Sequence, residues 1–362
     1  MNTNQHYSLF SSILDTSDFS GYSFIFIYHL NENNEPFLKR WINKSETLGI
    51  ISIPYSEVPS VKDCISKYSS VITPKSVQAI PNLITEMCNS HQDKKIILIE
   101  VGGYSSHISE KLNNVVLSIE DTHQGHWLQH NNKHLKYPVV SIANSEIKKL
   151  ENRLIGESIV RTIERITNIT IRTDTINNIV VFSYGGIGSS VCMALKNRRL
   201  IPYVYDIDVF KTAQAFADGY KIGKREQLLK NADIIIGCTG KHSIFLSDIP
   251  LIKESAYIFS GSSKQIEFSD ISQLIIRDQH QNDQLQTITI DGKKIIVGYY
   301  GQPINFLDTV DPKEFEIIMS CLLECCNYGL SNKLENKVYT LPLINQRKIL
   351  QAHIDNIISI LE

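Results

Sequence analysis

The residues Ser183-Tyr-Gly-Gly-Ile-Gly188 could cradle a pyrophosphate, because they follow an apolar run, Val180-Val-Phe182, and open a helical pattern. Gly185 and Gly186 let a backbone approach phosphate oxygens. Ile187 is expected to contact the cofactor with the rest of the turn, and Gly188 lets the helix pack tightly on its strand. Such a helix N-terminus offers unpaired N–H groups and a positive dipole end to an anion. Asp206, 21 positions past Gly185, ends the next apolar run, Tyr203-Val-Tyr205, where a carboxylate can accept from ribose hydroxyls. A carboxylate there would repel a 2′-phosphate, so NAD is expected over NADP. Ser183 stands where the dinucleotide fingerprint has its first glycine. The competing reading is a tight strand–helix turn with no ligand, in which Asp206 is a strand-end acid.

Other residues capable of chemistry are more scattered. Of 7 cysteines, Cys321, Cys325 and Cys326 cluster on a helical pattern with no histidine at ligand spacing, so buried thiols are expected there and no metal. The odd cysteine count, without regular spacing, suits reduced thiols and a cytoplasmic location. His29 ends an apolar run, and Lys148-Lys149 begins a helical one. On residue type alone these read as a strand-end histidine and a solvated helix face.

The elements that must position these groups follow from hydrophobic spacing. Residues 22–30 predict a strand. Residues 35–48 predict a helix through Phe37, Leu38, Trp41, Ile42 and Leu48, ended by Gly49, with the next strand at 50–53. Further strands are expected at 70–73, 96–100, 115–118, 179–182, 202–205, 234–237, 257–260, 274–276, 287–290 and 295–299. Asp291-Gly292 signals a hairpin between the last two. Long helices are expected at 145–167, 317–328 and 346–361. The fold class is therefore α/β, with a second α/β domain of roughly 150 residues inserted between an N-terminal one and C-terminal helices. A chain of 362 residues with 42% hydrophobic and 20% charged residues suits about two globular domains. Its formal net charge of −2 argues against nucleic acid or an anionic membrane as partner. No apolar stretch approaches the roughly 20 residues of a membrane span, and no signal peptide is expected.

In this order and spacing the motifs resemble those of the S-adenosylhomocysteine hydrolases. Lys95-Ile-Ile-Leu-Ile-Glu-Val-Gly-Gly-Tyr104 resembles the family's “ILDDGGD”, and Glu120-Asp-Thr-His-Gln-Gly125 its “EETTTG”. Tyr137-Pro-Val-Val-Ser-Ile-Ala-Asn-Ser145 resembles “FPAINVNDS”, and Ser183–Gly188 resembles “GYGDVG”. Asp206-Ile-Asp208, Ile236-Gly-Cys-Thr-Gly240 and Ile27-Tyr-His-Leu30 resemble “EID”, “TTTG” and “CLHM”. The resemblance runs from about residue 22 to 310. It implies a substrate domain at 1–155, a Rossmann-type NAD domain at 156–305, and C-terminal helices at 306–362 that return to the substrate domain.

It also implies a recycled NAD that oxidises a ribose 3′-hydroxyl, followed by loss of a thioether, addition of water and re-reduction. By this resemblance Lys148 would serve the 3′-hydroxyl, Asp121 would bind sugar hydroxyls, and His29 would lie near C5′. Thr122, Thr239, Gly240, Gly261 and Asn305 would join the glycine turn as cofactor contacts, in a homo-oligomer with a small-molecule substrate.

Several positions depart from the family. Val101 stands for the second aspartate of “ILDDGGD”, beside Glu100. Asn152 stands for the aspartate that follows the lysine, Arg153 for the next asparagine, and Ser262 for the histidine of “NIGHFD”. The C-terminal residues do not resemble the family's basic, tyrosine-containing tail. Valine carries no proton and asparagine does not titrate. The departures point to redox chemistry at a secondary alcohol of a nucleoside-like or thioether substrate, with altered acid and base groups. The alternatives are a true S-adenosylhomocysteine hydrolase and a non-catalytic NAD-binding regulatory protein. A 2-hydroxyacid dehydrogenase ranks last, because His242 and His280 lack the arginine–glutamate–histidine pattern such an enzyme needs.

Overall fold

A computed structural model describes residues 8–168, 178–275, 284–308 and 312–361. The chain divides into two compact units, Met1–Glu151 with Val310–Glu362, and Asn152–Thr309.

The first unit begins with α1 (Ser8–Thr16), β1 (Tyr22–Tyr28), α2 (Glu35–Lys44), β2 (Glu46–Ser52), α3 (Pro59–Ile65), β3 (Val71–Ile72) and α4 (Ile80–Asn89). It continues through β4 (Lys95–Glu100), β5 (Val115–Glu120), α5 (His123–His130), β6 (Val139–Ser141) and α6 (Glu146–Thr167). The unit boundary falls within α6. In the second unit come β7 (Ile179–Phe182), α7 (Gly186–Asn197), β8 (Tyr203–Tyr205), α8 (Val209–Ala217), β9 (Lys221–Ile222), α9 (Arg225–Asn231) and β10 (Ile234–Gly237). They are followed by β11 (Tyr257–Ser260), α10 (Ser269–Gln273), β12 (Leu285–Ile290) and β13 (Lys293–Gly298). The chain then returns to the first unit as α11 (Pro312–Ser331), β14 (Val338–Thr340) and α12 (Leu343–Leu361).

Each unit holds a seven-stranded sheet. The first has the order β14-β6-β5-β4-β1-β2-β3 with every pairing parallel. The second has the order β12-β13-β11-β10-β7-β8-β9, parallel except for the β12–β13 hairpin. Counted from the first strand of each unit, both contain the sequence 3-2-1-4-5, the doubly wound order whose switch point opens between strands 1 and 4. Parallel strands covered on both faces need continuous apolar runs. Accordingly Phe24–Ile27, Ile96–Leu98 and Ile234–Ile236 are all fully buried. One face of the first sheet is sealed by aromatic rings: Trp41 of α2 lies 5.5 Å from Phe26 and 6.0 Å from Phe24, and Phe10 of α1 lies 5.2 Å from Phe37. On α11, Cys321, Leu322, Leu323, Cys325 and Cys326 are buried in the same core. All seven cysteines are free thiols.

Three local expectations change. The helix expected at 35–48 ends at Lys44, and Leu48 and Gly49 lie inside β2. Gly49 fits that strand because an added Cβ would come 2.5 Å from the Met87 side chain. Where a strand was expected at 274–276, helix α10 ends at Gln273 and Leu274 is its C-cap. Ile276, like His280, lies outside the described residues. Between the two C-terminal helices the short strand β14 extends the first sheet, pairing with β6. The Asp291-Gly292 hairpin forms, with φ of 50° and 77°, the left-handed pair that a type I′ turn needs.

Candidate functional site

In the second unit, β7 delivers the glycine turn to the switch point. Ser183 takes φ 87°, a left-handed value that a glycine would adopt at no cost. Its N–H donates to the Tyr205 carbonyl at 2.7 Å, and its Oγ accepts from the Gly185 N–H at 3.2 Å. Gly185 is the N-cap of α7. A Cβ on Gly188 would fall 2.1 Å from the Ser183 carbonyl oxygen, so helix and strand touch backbone to backbone there. Asp206, opposite Ser183 at the end of β8, accepts from the Tyr184 N–H at 2.7 Å and the Asp208 N–H at 2.9 Å. The acid thus anchors the glycine loop and keeps lone pairs for ribose hydroxyls.

The loops after β10 and β11 are tied by one fully buried carboxylate, Glu267. It accepts from the Gly240 N–H at 2.7 Å, Thr239 Oγ1 at 2.8 Å and Ser262 Oγ at 2.6 Å. Gly261 donates to the Gly237 carbonyl at 2.8 Å, and a Cβ on it would meet Cys238 Sγ at 2.9 Å. Asn305 accepts from Ser158 Oγ through its carbonyl, while its side-chain Oδ1 is buried with no hydrogen-bond partner in the structure. An orphaned buried acceptor costs stability unless a donor arrives, and the carboxamide of a nicotinamide is such a donor. With the glycine cradle, this orphan shows that the residues present fit NAD.

In the first unit, β1, β4 and β5 end in a row of polar groups. Lys148, on the first turn of α6, is buried, and its Nζ bonds Asp121 Oδ1 at 2.5 Å and pairs with Glu151 one turn along. Burial opposes the ammonium, but the two carboxylates outweigh it and hold the lysine's pKa above its usual value. Burial raises the Glu151 carboxyl even beside the lysine. Asp121 Oδ2 accepts from the Tyr28 hydroxyl at 3.0 Å, and burial, then Asp121, push that phenol well up, so it stays protonated. His29 Nδ1 bonds Ser56 Oγ at 2.5 Å, and its ring packs 6.0 Å from Tyr55.

Behind this row lie two more buried carboxylates. Glu100 accepts from Ser105, from Ser118 Oγ at 2.8 Å and from Gln129 Nε2 at 2.6 Å. Glu120 accepts from Gly102 N–H at 3.1 Å, Gly103 N–H at 2.9 Å, and the N–H and hydroxyl of Thr122, both at 2.6 Å. Burial, and then the like charge of Glu100, push Glu120 up to about 8. Thr122 also caps α5 by accepting from the Gly125 N–H at 3.1 Å.

Residues 153–309 match the S-adenosyl-L-homocysteine hydrolase, NAD binding domain. Over these residues the chain is similar to the S-adenosyl-L-homocysteine hydrolases. It is 26% identical over 226 residues to an adenosylhomocysteinase of Sulfolobus acidocaldarius, and 24% identical over 228 residues to one of Thermoplasma acidophilum. Each match covers 58% of this chain and 52% of the relative, so the chain spans about half the length of the curated relatives it matches. A solved structure assigned as a D-3-phosphoglycerate dehydrogenase from Ralstonia solanacearum has TM-score 0.50 at 11% identity, covering 85% of this chain and 94% of that one. It shares the fold. NAD is the cofactor of the second unit.

Among the expected residues, the structure brings Lys148 and Asp121 into contact and places His29 next to Tyr28. It gathers Ser183, Gly185, Gly186, Ile187, Gly188 and Asp206 at one strand end, and Thr239, Gly240 and Gly261 at the neighbouring one. Asn152 belongs with the glycine turn: a Cβ on Gly186 would come 2.5 Å from its Nδ2, so it lies against the start of α7. Lys148 is buried, so the solvated-face reading fails for it, whereas Lys149 is exposed and pairs with Glu146. The sequence reading missed Tyr28, Glu151 and Glu267. The i,i+3 spacing of Lys148 and Glu151 on a helix was the available signal for one of them. It also passed over His126 and His130, four residues apart on α5, whose rings stack at 5.9 Å. Among the described residues no group of three or more His, Cys, Asp or Glu side chains could hold a metal ion, and no helix is long and apolar enough to cross a membrane.

Proposed function

We propose that the protein is an NAD-dependent enzyme whose redox step acts on a secondary alcohol of a nucleoside-like or thioether substrate. The observation that carries this reading is the buried Lys148 ammonium clasped by Asp121 and Glu151, in a chain that also holds an NAD domain. Burying three charges costs several kcal/mol before pairing repays it. An ammonium has three donors. Two meet carboxylates here, and the third is available to the oxygen of a hydroxyl or ketone. NAD supplies the hydride acceptor; the residues of this chain orient the alcohol and handle its proton. Asn152 would steady the glycine turn, and Asn305 Oδ1 would receive the carboxamide.

A full hydrolase is supported less well. Elimination and hydration need groups that exchange protons at two further carbons. Val101 has none, Glu100 is enclosed by Ser105, Ser118 and Gln129, and Ser262 is spent on Glu267.

The test is to add nucleosides, thioethers and hydroxy acids in turn to protein loaded with NAD and follow the reduced-nicotinamide absorbance. A nucleoside or thioether is expected to raise it. No change across the whole panel would overturn the proposal.

A further inference from the structure

We propose that Glu151 is the proton store of Lys148: as the substrate hydroxyl gives its proton to Nζ, a proton already on Nζ passes to the Glu151 carboxylate. The relay rests on the redox reading above and assigns the base that completes it.

Geometry selects Glu151. Lys148 and Glu151 are one turn apart on α6, both buried, and in direct ion-pair contact. Asp121, the other carboxylate on Nζ, also accepts from Tyr28, and a proton on it would turn an acceptor against a donor. Asn152, on the next residue, does not titrate. The titratable groups around the pair are Asp121 after β5, Tyr28 on β1, Cys321 on α11 and His123 on α5. Burial and nearby carboxylates raise Cys321, and burial followed by Lys148 lowers His123, so neither is a ready anion or cation competing for that proton near neutrality. Burial raises the Glu151 carboxyl, so it takes up a proton more readily than an exposed glutamate does.

The step balances. The alcohol carbon loses a hydride to the oxidised nicotinamide and its oxygen loses a proton to Nζ. A different proton leaves Nζ for Glu151, and the C=O bond forms. Lys148 begins and ends as an ammonium, and Glu151 ends as a carboxylic acid. Running the two transfers together avoids a neutral lysine, which the surrounding carboxylates disfavour.

The test uses full-length protein and the variants Glu151→Gln and Glu151→Asp. Glu151→Gln should lower alcohol oxidation about a hundredfold, with NAD content unchanged. It should also remove the rise in rate with pH that deprotonation of Glu151 produces, and Glu151→Asp should restore part of that rise. In NAD-free protein, the infrared carboxylic-acid absorption that titrates above the ordinary glutamate range, to which Glu120 also contributes, should lose the Glu151 share of its intensity in Glu151→Gln. A Glu151→Gln variant that oxidises alcohols with an unmoved pH profile, or whose carboxylic-acid absorption is as strong as the wild type's, overturns the relay alone. Absence of oxidation in wild type and variants alike overturns the redox reading and the relay together.

Discussion

The two units carry sheets with the same 3-2-1-4-5 strand order, yet they use the switch point in opposite ways. At the second, between β7 and β10, the backbone does the work: a left-handed Ser183, a helix start at Gly185 and a close approach at Gly188, steadied by Asp206 and Glu267. At the first, the strand ends carry buried side chains instead: Lys148, Asp121, Glu151 and Tyr28 in one cluster, with Glu100 and Glu120 behind. A pyrophosphate is the same anion in every NAD protein, so backbone N–H groups suffice to hold it. A reaction needs titrating groups chosen for the substrate, so the first site is where a divergent chain can change. The departure Val101 falls beside Glu100, while Asn152 lies against the start of α7, and Glu151 and Tyr28 supply ionisable groups in the first cluster.

Three perturbations sharpen this contrast. The largest effect is expected from Lys148→Met, which should cut alcohol oxidation by about 10²- to 10⁴-fold and leave NAD content unchanged on denaturation and chromatography. Loss of NAD together with activity would break the separation of roles. Next, Gly188→Ala puts a methyl group 2.1 Å from a backbone oxygen. It should destabilise the second unit by about 1–3 kcal/mol and deplete bound NAD, while hydrogen exchange in the first sheet stays unchanged. Equal loosening of both units would argue against their independence.

The smallest effect concerns pH. Glu120 has its pKa raised from 4.5 to about 8 in the folded protein. Between those values the native state holds more protons than the unfolded chain, so this group's contribution to stability declines as pH rises through that window. Glutamine does not titrate. The melting temperature of wild type minus that of Glu120→Gln should therefore fall between pH 4.5 and 8. A constant or rising difference would contradict it.

The fold was legible where periodicity and backbone needs agree. The β-branched run Ile234–Ile236 forms a buried strand, and Asp291-Gly292 forms the left-handed turn that this residue pair favours. The glycine turn was legible for the same reason, since its requirement is written in residues without side chains. Leu48 and Gly49 misled because three or four apolar positions fit both periods over a short span. The charged cluster was harder to see. Lys148 beside Lys149 looks like a solvated face, and only the resemblance singled it out. Tyr28, Glu151 and Glu267 act through partners 93, 3 and 27 or 28 positions away, and of these only the helical spacing of Glu151 leaves a trace in a linear sequence.

The central claim is that the cofactor half of an adenosylhomocysteinase-like protein works here with remodelled proton chemistry. The most direct measurement is to mix the NAD-loaded protein with S-adenosylhomocysteine and quantify free homocysteine thiol in the same sample whose nicotinamide absorbance is followed. Reduced nicotinamide that accumulates without stoichiometric homocysteine release is the predicted result. Catalytic release of homocysteine, at many turnovers per protein, would contradict the account.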